Sequence, residues 1–376
     1  MNSYKCIKDI AKVTNGKSDV KDALSYGKYP FYDRSTLIKR SNKYLFDSEA
    51  IIIAGEDSRQ VFEPRHYIGK FDLHQRCYVI YDFMDGYSPK YLYYKLKTLT
   101  KHFANVCVGS TVPSLRLDHI SEIKIEFPKN DIQQKIAIVL SDLDAKIELN
   151  TKINAELESM AKLLYDYWFV QYDFPDENGK PYKSSGGKMV YNEELNREIP
   201  EGWGATTVET ILQKQKSVKK VQAKEYGIDG IIPIIDQSTR FICGYIDDES
   251  YMLKGKDDPI IVFGDHTRIF KYVNFDFARG ADGTQILSSN TNKLPATLLY
   301  QILKMIDLSN YGYARHFKFL KETTIILPKE NTATKYDSIV KLYWDKIRSK
   351  IVENRELSKL RDFLLPMLMN GQVRVR

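Results

Sequence analysis

Between Asp131 and Phe169 the apolar positions step by alternating fours and threes: Ile136, Leu140, Leu143, Ile147, Asn150, Asn154, Leu157, Ala161, Leu164 and Trp168. That spacing is the a/d seam of a long helix that needs a partner helix. The ladder recurs 200 positions further on as Tyr336, Val340, Tyr343, Ile347, Lys350, Asn354, Leu357, Arg361, Leu364 and Leu368. Its approach recurs too, Ile125-Glu126-Phe127-Pro128-Lys129 against Ile325-Ile326-Leu327-Pro328-Lys329. At roughly 1.5–3 kcal/mol for each fully buried Leu or Ile, such a seam outweighs its polar interruptions. Asn154 and Asn354 hold the same seam position in both copies, where a polar residue costs stability and specifies register. Asn130-Asp131 predicts the N-cap of the first helix, and Asn370-Gly371 the C-cap of the second.

Outside the helices the period changes. Residues 1–129 alternate short apolar runs with turn residues, with strands over 50–54 and 77–81 and a helix over 90–102 that has Pro89 at its first turn. Residues 199–329 echo them. Tyr29-Pro30-Phe31-Tyr32-Asp33-Arg34-Ser35-Thr36 aligns with Ile232-Pro233-Ile234-Ile235-Asp236-Gln237-Ser238-Thr239, a shared P-x-x-D-x-S-T. Ile51-Ile52-Ile53 before Gly55 matches Ile260-Ile261-Val262 before Gly264, and a helix over 295–308 matches the one that begins at Pro89. The polar, turn-rich residues 171–198 read as a linker with little core of its own. The order is therefore domain (1–129), helix (130–170), linker (171–198), domain (199–329), helix (330–376). The fold class is α+β: two similar α/β domains separated by two long antiparallel coiled-coil helices, a pseudo-twofold internal repeat. About 39 residues per helix at about 1.5 Å each make a rod of roughly 60 Å, a ruler with two similar heads.

Composition narrows the partner. The chain has 376 residues, enough for two or three real cores, and carries a net charge of +7 with a pI of about 8.8, which suits nucleic acid. Cys6, Cys77, Cys107 and Cys243 form no CxxC pair and read as reduced thiols of a cytoplasmic protein. No apolar run is long enough for a signal peptide or a membrane span.

No constellation for catalysis is present, so the chain is not expected to be an enzyme. Gly16-Lys17-Ser18 resembles the end of a P-loop, but the first Gly would fall on Ala11. The six His residues lack metal-ligand spacing, and the chain has no Pro-Pro, which the [ND]-P-P-[YF] element of adenine methyltransferases requires. Glu122-Ile123-Lys124 fits the E-x-K of many nucleases without a defined partner acid. What both heads do carry is basic and polar decoration. In the first it is Arg34, Ser35, Thr36, Lys39, Arg40, Arg59 and Arg65; in the second Lys214, Lys216, Lys219, Lys220, Gln237, Ser238, Thr239, Arg240 and Arg268. Arg, Gln, Ser and Thr read base edges and Lys mostly meets phosphate, so these are the candidate DNA contacts; the plainer reading of each alone is a solvated face. The aromatic run Tyr165-Asp166-Tyr167-Trp168-Phe169 is either packing or a docking patch.

That run, with Phe174-Pro175, Ile199-Pro200-Glu201-Gly202-Trp203 and the alternation of domain and helix, resembles the specificity subunit of type I restriction–modification systems over essentially the whole chain. The resemblance implies a non-catalytic reader of double-stranded DNA with one half of a split, asymmetric target per head. It implies two modification subunits docked on the helices, with Tyr165, Trp168 and Phe169 as partner contacts, and restriction subunits beyond them. S-adenosylmethionine, ATP and Mg2+ would belong to those partners. Two readings of other classes stand beside it: a nuclease or methyltransferase in its own right, and a scaffold or anti-restriction relative that reads no DNA.

Overall fold

The computed structural model describes residues 3–58, 61–109, 112–213, 219–310 and 316–375. It forms two compact units, Met1–Leu149 with Asn354–Arg376, and Asn150–Glu353. The division falls inside the long helices, so each unit holds one α/β domain and part of both helices.

In the first unit β1 (Ser3–Cys6) and β2 (Lys12–Asn15) are followed by β3 (Tyr29–Tyr32), β4 (Lys39–Ser41), β5 (Phe46–Ala54), β6 (Arg65–Leu73) and β7 (Cys77–Tyr81). Six of these make one sheet in the order β2-β7-β5-β6-β3-β4, antiparallel except where β3 runs parallel to β6. The buried run of β5 shows why so apolar a strand is needed. Ile51 and Ile53 face a core shared with helices, while Ala50 and Ile52 face a second core with Phe71, Leu73 and Val79. The helical side supplies Tyr91 and Leu92 from α1 (Pro89–Lys97), Phe103 from α2 (Thr100–Val106) and Ile120 from α3 (Leu117–Ser121). The single helix expected over 90–102 is thus two: the Thr98 hydroxyl donates to the Lys95 carbonyl at 2.7 Å and ends the first. A last strand, β8 (Lys124–Phe127), pairs with β1 and leads into α4 (Asn130–Tyr165).

The second unit repeats this plan. After the hairpin of β9 (Met189–Asn192) and β10 (Arg197–Pro200) come β11 (Gly204–Thr207), α5 (Val208–Ile211), β12 (Ile232–Ile235), β13 (Gly244–Ile246) and β14 (Met252–Leu253). Then follow β15 (Ile260–Gly264), β16 (Phe270–Val273), β17 (Phe277–Arg279), β18 (Thr284–Leu287), α6 (Ala296–Lys304), α7 (His316–Glu322), β19 (Thr324–Leu327) and α8 (Glu330–Met369). The β1–β8 pair is matched by β11–β19, and parallel β3–β6 by parallel β12–β17. Residues 171–198 are not a bare linker. Phe174 stacks on Tyr182 at 4.7 Å and on Trp203 at 5.0 Å between ring centroids, and Asp173 accepts from both the backbone and the hydroxyl of Ser184. Their polar turns carry the backbone while aromatics far apart in sequence meet in space.

The seam is the buried face of both helices: every ladder residue named above is buried or half-buried, with Leu140, Asn150, Ala161, Tyr336 and Val340 fully so. In the first unit the Asn354 amide donates to the Ile147 carbonyl at 3.3 Å, and Arg361 pairs with Asp144 at 2.8 Å. In the second the Tyr336 hydroxyl donates to the Ala161 carbonyl at 3.1 Å. The two helices therefore run antiparallel within each unit. Gly371 takes φ +70° and ends α8, with Gly371 N–H donating to Leu368 and Gln372 N–H to Met367, a Schellman cap. No helix among the described residues is long and apolar enough to cross a membrane.

Candidate nucleic-acid interface

The repeated P-x-x-D-x-S-T motif builds the same turn twice. After β3, Asp33 Oδ1 accepts the Ser35 N–H at 2.8 Å; after β12, Asp236 Oδ1 accepts the Ser238 N–H at 2.8 Å. A basic side chain from a later strand, β6 or β16, pins each loop. Arg65 donates to the Ser35 carbonyl, and Lys271, 5% exposed, donates to the Asp236 carbonyl at 2.8 Å and also to the Arg240 carbonyl. Burial pulls the Lys271 ammonium below the usual lysine range, with Asp236 opposing.

Two further loops meet this turn in each domain: the one after β5 or β15, and the one before β7 or β18. In the first domain an ion triad joins all three, with Arg34 and Arg76 both bonded to Glu56. In the second a neutral amide does so. Gln237 Nε2 donates to the Asp282 carbonyl at 2.9 Å, its Oε1 accepts the His266 N–H at 3.2 Å, and the Thr267 hydroxyl donates to the Gln237 carbonyl at 2.7 Å. Gly283, at φ +80°, lets that amide pass, since a Cβ there would lie 2.6 Å from Gln237 Nε2.

This frame sorts the residues expected to touch DNA. Arg59, Lys214 and Lys216 lie outside the described residues. Ser35 spends its hydroxyl on Asp33 at 2.6 Å and Lys39 its ammonium on Asp33 at 2.7 Å, while Arg65 turns beneath its loop. In the second domain Gln237 and Ser238 are taken up by the frame, Lys219 donates to Ser250 at 3.2 Å, Lys220 pairs with Asp282 at 3.0 Å, and Arg268, at φ +61° in a tight hairpin, donates to the Leu308 carbonyl at 3.3 Å. Thr36, Arg40, Thr239 and Arg240 are exposed, and no side-chain bond holds them among the described residues. Sequence reading missed Glu56 and Arg76. No local pattern joins Glu56 to Arg34 and Arg76, which lie 22 and 20 residues from it along the chain.

Burial of the Glu56 carboxyl opposes ionisation, but the bonds and charges of Arg34 and Arg76 outweigh it and hold its pKa below the usual carboxylate range. A depressed folded-state pKa means that the unfolded chain binds more protons as acid is added. The triad's stability is thus fully present above the ordinary glutamate value of about 4.3 and is lost as pH falls through the lower folded value. Glu56→Gln is expected to melt earlier than the parent at pH 7 and to show a flatter dependence of melting temperature on pH between about 5 and 3. Thermal melts across that range check it; an unchanged slope would remove the triad from the acid response.

Two other sequence features are structural. Ser18 of the Gly-Lys-Ser run donates to buried Asp72 at 2.7 Å, and Gly16 lies so close to the Leu73 carbonyl that a Cβ would sit 2.2 Å from it, so this is a packed turn and not a phosphate loop. Glu122 of the E-x-K run is an exposed ion pair with Lys8 at 2.8 Å. Among the described residues no cluster of three or more His, Cys, Asp or Glu is placed to hold a metal.

The aromatic run at the end of α4 corrects one expectation. Tyr165, Trp168 and Phe169 are not an accessible docking patch: they are 6%, 4% and 1% exposed. A π-helical turn, Asp166–Val170, presents Trp168 and Phe169 to one core, where Phe169 meets Tyr336 at 5.2 Å and Trp203 at 5.6 Å. Among the apolar side chains that face solvent are Met160 and Leu163 on α4, with Tyr167 in the π-helical turn, and, 200 positions on from the first two, Leu360 and Phe363 on α8.

Comparison with known proteins agrees with this architecture. The family model described as the type I restriction modification DNA specificity domain matches residues 2–159. The chain is 29% identical over 314 residues to the MjaIX specificity subunit of a type I restriction enzyme from Methanocaldococcus jannaschii, covering 77% of this chain and 70% of that one. It is 25% identical over 357 residues to the HindI specificity subunit from Haemophilus influenzae, covering 76% and 77%. The crystal structure of a type I restriction–modification S subunit from M. genitalium has the same fold, with a TM-score of 0.60 at 18% identity over 98% of this chain and 96% of that one. Two copies of one loop-bearing domain, two long repeated helices and these matches along the chain make it a member of the specificity-subunit family of type I restriction–modification systems.

Proposed function

We propose that this subunit reads a split, asymmetric double-stranded DNA target in the cytoplasm, one half-site per domain. The paired helices set the unread spacer between the halves. The observation that carries this reading is the shared loop frame with different chemistry: Arg34–Glu56–Arg76 in one domain and the Gln237 amide in the other. One frame used twice gives two readers, and unlike side chains give unlike letters.

The chain is non-catalytic, as members of its family are. Methylation of one adenine per half-site belongs to two modification subunits that bring S-adenosylmethionine. ATP-driven translocation and Mg2+-dependent cleavage belong to restriction subunits. The repeated exposed apolar positions, Met160 and Leu163 on one helix and Leu360 and Phe363 on the other, fit two copies of one partner better than two unlike ones.

The test is a methylome. The chain is expressed with its modification subunit in a methylation-free host, and N6-methyladenine is mapped by sequencing. The expected result is one bipartite motif with a fixed gap and different letters in its halves. A properly assembled complex that methylates no motif would favour the scaffold reading instead.

A further inference from the structure

The junction of the first domain carries more positive charge than holding three loops requires, since one neutral amide holds the matching loops in the second. Glu56 is 13% exposed and offers one carboxylate oxygen to each arginine, whose side chains are 41% exposed for Arg34 and 58% for Arg76. Only Nη1 of each guanidinium is engaged; Nε and Nη2 of both have no partner among the described residues. Arg34 also lines an open hollow of about 440 Å3 with Thr36 and Ser58. A fixed carboxylate thus holds two half-exposed forks, each with an edge left over.

We propose that Glu56 is a positioning residue that presents Arg34 and Arg76 as a preformed pair, and that this pair reads a guanine in the half-site of the first domain. This rests on the DNA reading proposed above. Guanine is the base whose major-groove edge offers two acceptors, O6 and N7, to one guanidinium fork. Anchoring the fork beforehand lowers the ordering cost of that contact. A phosphate is the other ligand such a fork suits, but phosphates lie under both domains alike. A junction built for them would leave guanidinium edges on its joining residues in both domains; in the second the joining residue is an amide and the nearby cations are spent, Lys220 on Asp282 and Lys271 on loop carbonyls.

The experiment uses the chain assembled with its modification subunits. Methylation rates are measured on duplexes carrying single base-pair changes, together with the methylome of each variant. Arg34→Lys and Arg76→Lys keep a cation for Glu56 and lose the fork; Glu56→Gln releases both arginines. All three are expected to lower discrimination at one G·C pair of one half-site by roughly tenfold or more, with the other half-site unchanged. The lysine variants are expected to melt like the parent, so a folding defect in Glu56→Gln does not decide the matter. Wild-type discrimination at every position in both lysine variants would overturn the inference. So would a loss uniform across sequences with a shallower salt dependence, which marks phosphate contact. A parent complex with no bipartite motif would overturn the functional reading and this inference with it; a parent motif unmoved by the lysine variants overturns the inference alone.

Discussion

Replacing Trp168 by alanine is expected to unfold the second domain, with loss of partner binding only as a consequence. The indole is 4% exposed and packs with its ring centroid 6.1 Å from Tyr336 and 6.5 Å from Phe169. Truncating a buried Trp costs about 3–5 kcal/mol, a large part of the roughly 5–15 kcal/mol that a domain has in all. Urea or thermal unfolding should show the transition of the second domain shifted strongly to lower stress or lost. Leu163 on the same helix is 69% exposed, so Leu163→Glu should leave that transition in place and lower retention of the modification subunit. A Trp168→Ala chain that melts like the parent and yet fails to assemble would put the indole back on the outside.

The second large effect concerns the spacer. Seven residues inserted after Asn150 and seven after Lys350, matching seam positions 200 apart, keep the a/d register in both helices. The original target should then go unmethylated. A new motif should take its place, with the same half-site letters and a longer gap. Seven residues add about 10 Å of helix, or about three base-pair steps of about 3.4 Å if axial rise alone sets the gap. Mapping the methylome of the doubly inserted chain decides it. New letters in either half would mean that the helices shape recognition itself and do more than set a distance.

The long helices were legible because their pattern is redundant. Each seam position is voted on by its neighbours at three and four, and again by the copy 200 residues away, so single departures such as Lys350 or Arg361 do not erase it. The P-x-x-D-x-S-T turn was legible for a similar reason, being local and repeated. What failed was whatever depends on a partner distant in sequence. Arg34, Arg40 and Arg65 look alike in a string of letters. One is locked to Glu56, one is open to solvent and one is turned beneath a loop. The dense aromatics at the end of α4 suggested an outward face because nothing nearby covers them; Tyr336 and Trp203 do. Phe174 and Tyr182, lost among polar turn residues, gave the segment the look of a tether until Trp203 stacked against them.

The division of the chain sets an order of events on the ribosome. The second unit is one continuous stretch, Asn150–Glu353, and can close as soon as its own helix halves have emerged. The first cannot. Its core takes in Leu368 and Met369, the Lys95 ammonium waits for the Met369 carbonyl, and Asp144 waits for Arg361. At about 5–20 residues per second those pieces arrive some tens of seconds after Leu149 leaves the tunnel. During that interval the half of α4 belonging to the first unit has an uncovered apolar stripe. Partial chains are therefore exposed to aggregation there, and a transient chaperone contact on residues 136–147 is the natural remedy.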